Sequence, residues 1–157
     1  WSEIDLDGCA WTVPAERMKA NTEHRVPLST RAIEILKGQE DADAHKTLVF
    51  PSHTGLVPSD MILTKFLRDK KAKSSTAGRT ATAHGFRSSF RDWASENGYS
   101  RDWAERALAH TVGNQTEAAY HRTDLLDQRR GMMEAWAQFV SGIDADDEKI
   151  VPISAKK

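Results

Sequence analysis

From about Thr82 to residue 140 the sequence is patterned for helices almost without a break, and it follows a front end patterned for strands. That division restricts the fold more than any other feature. Within HGFRSSFRDWASENG, Phe86, Phe90, Trp93 and Ala94 recur at i, i+4, i+7 and i+8, the spacing of one buried helical stripe. Asn97-Gly98 stops this helix. Ser100 is placed to cap a second helix, RDWAERALAH, 101–110. Asn114, with Glu117 three residues on, opens a third, QTEAAYHR, 115–122. Asp124 is placed to cap the last, LLDQRRGMMEAWAQFV, 125–140. There Leu125, Leu126, Met132, Met133, Trp136, Phe139 and Val140 form a broad apolar stripe that should cover the chain's own core.

The front end reads differently. WSEIDLDG and CAWTVP alternate in part around Asp7-Gly8, a hairpin signal. HRVPLS makes a third short strand, so a small antiparallel sheet is expected, with a basic turn at Lys19. TRAIEILKG, 30–38, reads as a helix capped by Ser29 or Thr30 and ended by Gly38. An acidic loop and an extended TLVFPS follow, then a helix from Ser59 to about Lys71 and a flexible basic loop, KSSTAGRT. Strands first and helices after predict an α+β domain, mainly α-helical. There is no internal repeat. The domain is expected over 1–140, with a polar, loose tail over 141–157 in which KIVPIS is able to add a strand.

A chain of 157 residues suits one domain with a real core. No run approaches a membrane span. The acidic opening WSEIDLDG predicts no signal peptide. Cys9 is the only cysteine, which excludes an internal disulfide and suits a reducing compartment. Cys9 and the six histidines lack zinc-ligand spacing, so no metal is expected.

The net charge of -1 speaks against a nucleic-acid partner only until its distribution is considered. Lys65, Arg68, Lys70, Lys71, Lys73 and Arg79 form a basic run interrupted by Asp69 alone, and Arg87 and Arg91 follow. Acids collect in GQEDADAH and DADDEK. A local basic surface on a neutral protein can bind phosphates, although the plainer reading of such a run is a solvated helix face and a loop. His84, Arg87 and Arg91 share one helical face, where three potentially cationic groups repel unless an anion lies against them. Tyr120 is one of two tyrosines and sits in EAAYHR, beside small alanines and beside His121 and Arg122. A phenol with a pKa near ~10 needs nearby cations to act as a nucleophile. The plainer reading is a packing tyrosine.

Taken together, ATAHGFRSSFRDWASE, ALAHTVGN and EAAYHR resemble the signature of the tyrosine recombinases, the phage-integrase family, and look most like integrases of prophages and genomic islands. WSEID, WTVPAERMK and HRVPLS resemble that subgroup's small sheet, and VFPS its next strand. The resemblance implies a site-specific recombinase that cleaves DNA through a 3'-phosphotyrosine and rejoins it, without cofactor or metal. It implies Tyr120 as nucleophile, Arg87 on the non-bridging phosphate oxygens, His84 as acid–base group or phosphate ligand, and His110 as hydrogen-bond donor to the phosphate. Lys19 would be the general acid, with Arg17, Arg25 and Lys37 as alternatives. Arg91, Arg79, Lys65, Lys71, Lys73 and Arg122 would contact DNA. Implied partners are double-stranded attachment sites, further subunits of a recombinase tetramer and accessory DNA-bending proteins, in a bacterial or phage-encoded cytoplasmic setting without a membrane. The tail is able to dock in cis or on a neighbouring subunit.

The family pattern also has an arginine in a motif like TGxRxxE ahead of the first strand, which this sequence does not contain. The expectation is therefore a fragment of a longer protein, impaired or inactive alone, since losing one transition-state contact of this kind costs ~100-fold or more. The alternatives are a non-catalytic DNA-binding or accessory fragment and a topoisomerase-like nicking and rejoining protein. An unrelated helical domain would scatter His84, Arg87, His110 and Tyr120 in space.

Overall fold

The computed structural model describes residues 1–42, 45–110 and 123–142. Three strands, β1 (Ile4–Asp5), β2 (Ala10–Val13) and β3 (His24–Pro27), form an antiparallel sheet in the order β1-β2-β3. Ile4 faces Trp11, and Ala10 to Val13 run against Pro27 to His24. The Asp7-Gly8 hairpin forms as expected, with shorter strands. The Asp5 carboxylate accepts the Gly8 N–H at 2.7 Å. A Cβ on Gly8 would lie 2.2 Å from that same carboxylate, so this turn needs glycine for close approach.

Helix α1 (Thr30–Asp41) settles one open choice, because Ser29 is the N-cap and its hydroxyl accepts the Ala32 N–H at 3.3 Å. The helix runs through Gly38 rather than ending there. A glycine weakens a helix by about 1 kcal/mol but does not stop the ladder when helix formers such as Gln39 and Glu40 follow. TLVFPS, 47–52, forms no strand. The sheet described here offers it no ladder, and the backbone turns back instead, with the Ser52 N–H donating to the Leu56 carbonyl at 2.8 Å. Helix α2 is shorter than expected, Ile62–Asp69, with Ser59 bonding the Met61 N–H from outside it. KSSTAGRT is a closed turn: Lys73 and Thr80 form a bridge, and the Ala81 N–H reaches the Ala72 carbonyl at 2.8 Å.

Helices α3 (Gly85–Glu96), α4 (Arg101–Ala107) and α5 (Leu126–Ser141) build the core. Phe90, Trp93 and Ala94 of α3 pack with Ala104, Leu108 and Met132. Trp136 closes the cluster, edge-on to Phe90 at 5.4 Å and 5.2 Å from Trp93. Phe86 is a correction to the stripe: it is 54% exposed and outside the cluster, one turn ahead of Phe90 in the first turn of α3. The same holds at the far end of α5, where Phe139 and Val140 are exposed although Phe139 still stacks on Trp136 at 5.5 Å. Helix α4 stops at Ala107, three residues early, because Ala109 takes a left-handed conformation (φ 53) and turns the chain away. The third helix expected over 115–122 lies outside the described residues. Helix α5 begins one residue later than expected: Leu125, in a left-handed conformation (φ 53), is its N-cap in place of Asp124, whose carboxylate accepts the Leu126 N–H at 3.2 Å from one residue further out. Helix α5 packs on both β3 and α4, and so joins the sheet to the bundle. No helix among the described residues is long and apolar enough to cross a membrane.

Candidate active site

Sheet and bundle meet at a cleft of about 400 Å³ lined by Met18, Ala20, His24, Arg106, His110, Asp124 and Arg129, among others. Its walls come from the turn before β3, the end of α4, and the start of α5. Residues 92 positions apart in sequence, Met18 and His110, thus face one space.

Arg87 lies in the first turn of α3, partly buried, and its Nη2 donates to the Leu108 carbonyl at 2.6 Å. A guanidinium carries five N–H donors, so this bond leaves others for an anion. It also ties α3 to the backbone two residues before His110. The left-handed Ala109 lifts His110 off α4, and the His110 N–H returns to the Glu105 carbonyl at 2.9 Å. The His110 ring lies with Nδ1 2.6 Å from the Glu105 carboxylate. With Nδ1 engaged by Glu105, Nε2 is left for another partner.

Glu105 is the organising acid. Arg91 Nε donates to it at 2.9 Å, and the Arg91 and His110 hydrogen bonds together hold its carboxyl below the usual glutamate range. Arg91 also bonds Ser95. The expected DNA-contacting Arg91 is therefore engaged inside the domain, where it fixes Glu105 and through it His110. His84 is exposed at the N-terminal edge of α3, whose first N–H, from Gly85, is accepted by the Thr82 hydroxyl at 3.0 Å.

Lys19 is exposed in the turn between the short 3-10 helix Ala15–Arg17 and β3 and makes no ion pair among the described residues; its neighbours Met18 and Ala20 line the cleft. The alternatives are otherwise engaged. Arg17 pairs with Glu3, Arg25 pairs with Asp124, and Lys37 lines a different cleft with Arg130 and Glu134. Lys65, Lys71, Lys73 and Arg79 are exposed and do not line the cleft; Lys65 pairs with Asp69 at 2.6 Å. Tyr120 and Arg122 lie outside the described residues. Both flanks of their segment are described, His110 before it and Thr123 after, and both line the cleft.

Several residues of the cleft are not among those expected from the sequence. His24 at the start of β3 is half-buried; burial first, then the positive charge of Arg129, pushes its imidazole below the ordinary value, against a hydrogen bond to the Ala107 backbone. Arg129 is 1% exposed, with Nε on the Asp124 carbonyl at 2.9 Å and Nη2 on the Arg25 carbonyl at 2.9 Å. A signal for Arg129 existed: it stands three residues from Leu126 and from Met132, on the apolar face of its helix. An arginine there must be bonded inside the protein. Among the described residues no group of acids, histidines and cysteine is arranged to hold a metal ion.

A small antiparallel sheet, a helical bundle and a cation-rich cleft between them define the architecture. The chain belongs to the phage integrase family, whose model matches residues 1–125. It is 36% identical over 145 residues to prophage integrase IntA of Escherichia coli K12, covering 92% of this chain and 34% of the relative. To prophage integrase IntZ of the same organism it is 37% identical, covering 91% and 35%. The integrase of Enterobacteria phage P4 is 35% identical over 156 residues, covering 89% and 35%. The chain thus spans about a third of the length of the curated relatives it matches. No solved structure matches it.

Proposed function

We propose that this chain is the carboxy-terminal catalytic part, residues 1–140, of a longer site-specific DNA recombinase that breaks and rejoins DNA through Tyr120. One observation carries the reading: Met18 and Ala20 on either side of Lys19, and His110 and Thr123 on either side of the Tyr120 segment, line one cleft, and Arg87 is bonded to the Leu108 carbonyl two residues before His110. An accidental set of motifs has no reason to converge.

In the proposed reaction the Tyr120 oxygen attacks the phosphorus of a DNA phosphodiester and gives up its proton to an acid–base group, for which His84 is the candidate. The P–O5' bond breaks, and the departing 5'-oxygen takes a proton from Lys19. The remaining donors of Arg87, with His110 Nε2–H, stabilise the charge on the non-bridging oxygens, and His84 adds an acid–base group or a further phosphate contact. A second 5'-hydroxyl then attacks the phosphotyrosine and restores both the phosphodiester and the tyrosine. Bond energy is retained, so neither nucleotide nor water is consumed. Phosphate contacts from Arg79, Arg122 and the exposed lysines 65, 71 and 73 would register the duplex without reading its sequence. A tetramer on DNA, bending proteins and a cytoplasmic setting follow as part of the same proposal.

The test uses the longer protein on supercoiled DNA carrying candidate attachment sites, stopped with detergent. A covalent protein–DNA adduct is expected that forms without added nucleotide and disappears in Tyr120→Phe. An adduct that survives Tyr120→Phe places the nucleophile elsewhere. Folded, DNA-bound protein that never forms an adduct turns the reading to a non-catalytic DNA-binding fragment. Relaxation of one DNA without exchange between two sites turns it to a topoisomerase-like protein.

A further inference from the structure

The chain leaves the Tyr120 segment through an arginine clamp. Thr123 and Asp124 follow Tyr120 by three and four residues. The Thr123 carbonyl accepts from Arg106 Nη1 of α4 at 3.0 Å. The Asp124 carbonyl accepts from Arg129 Nε of α5 at 2.9 Å. The Asp124 carboxylate takes a two-point bond from Arg25 of β3, Nε at 2.7 Å and Nη2 at 2.8 Å. Arg129 also donates to the Arg25 carbonyl, which closes the ring of contacts across 104 residues of sequence.

Three separate elements therefore fix two consecutive residues. Fork-to-carboxylate pairing adds direction to attraction, which a lysine would not supply. Among the described residues, the Nη1 of Arg129 is buried with no hydrogen-bond partner. Leaving a buried donor unmet is costly, and an apolar side chain of similar length would fill the same space without it. What the arginine supplies here that an apolar side chain would not is its bonds to the Asp124 and Arg25 carbonyls.

We propose that Arg25, Arg106 and Arg129 are positioning residues that, through Thr123 and Asp124, hold the exit of the Tyr120 segment at a fixed place relative to the β2–β3 turn bearing Lys19. The nucleophile and the general acid stand on opposite sides of the bond to be broken, so their separation must be held closely; a misplacement near 1 Å costs ~100-fold. This inference rests on the recombinase reading above.

The test compares Asp124→Asn and Arg129→Met with the wild type in the longer protein, under single-turnover conditions, on a nicked DNA site that traps the adduct. Asp124→Asn keeps its shape and sits half-exposed, so the fold is retained and this variant decides the matter if Arg129→Met does not fold. DNA affinity is measured beside the rate. The same reactions are run on DNA with sulfur in place of the bridging 5'-oxygen, whose leaving thiolate needs no general acid. Cleavage slowed by ~10-fold or more, with affinity within twofold of wild type and no rescue by sulfur, is expected for a displaced nucleophile. Rates within twofold of wild type overturn the proposal. Slow cleavage that sulfur restores also overturns it, because the clamp then acts on the proton donor alone. A wild type that forms no adduct removes the recombinase reading itself, and the proposal with it.

Discussion

Glu105 receives Arg91 at 2.9 Å and His110 at 2.6 Å, with Arg101 at 3.9 Å. Its lowered pKa, from the Arg91 bond first and the His110 bond second, has a definite sign in folding. The stabilisation is complete above the ordinary glutamate value of 4.5 and is lost as pH falls below it, through the depressed folded-state value. Glu105→Gln should therefore flatten the acid side of the stability profile, measured by urea unfolding across that range. The amide also replaces the acceptor that fixes the His110 ring. Adduct formation by the longer protein should fall by about 10-fold, while a catalytic rate unchanged within twofold would show that His110 needs no such support. None of this was legible from spacing alone. Glu105 and His110 are five residues apart, a separation that an unbroken helix would not bring face to face; the left-handed Ala109 creates the pair.

Elements were legible where periodicity and burial agree. The stripe Phe90, Trp93 and Ala94 was readable because helical spacing and a real core coincide there. Phe86 shared the spacing but not the cover, since periodicity reports which face a residue occupies and not how far the neighbouring helices extend. Gly38 and the early end of α4 were missed for the opposite reason, because local chemistry yields to the surrounding ladder or to one left-handed residue. Met132 is fully buried where α5 meets α3 and α4. Met132→Ala should cost about 2–5 kcal/mol in chemical unfolding. A loss under 1 kcal/mol would mean that the cluster collapses onto the space or is not the chief core.

At the scale of the molecule, apolar side chains without cover concentrate in residues 50–66. Phe50, Leu56, Val57, Met61, Ile62, Leu63 and Phe66 are all exposed, Leu63 at 60% and Phe66 at 56%. Beside them a cleft of about 580 Å³ opens between the sheet and α1, lined by Trp1, Ile4, Trp11, Leu36, Val49 and Phe50. Apolar surface on this scale favours association in water. The 157-residue chain by itself should self-associate with rising concentration in sedimentation velocity, and Leu63→Glu with Phe66→Glu should return it toward monomer. Monomer at all concentrations, before and after the change, would show that this surface is not sticky.

Arg130 stands next to Arg129 and reaches the other end of the sheet, donating to the Cys9 and Gly8 carbonyls at 3.1 and 2.9 Å. One helix near the end of the chain thus fastens both the β1–β2 turn and β3, near its start. During synthesis the sheet leaves the ribosome more than 100 residues ahead of its fasteners. At ordinary rates of translation that interval is on the order of 10 s. For that time the sheet lacks these bonds, and strand pairs this short are marginal in water without an element packed on them. Strands β1 to β3 gain these fasteners only when α5 has been made.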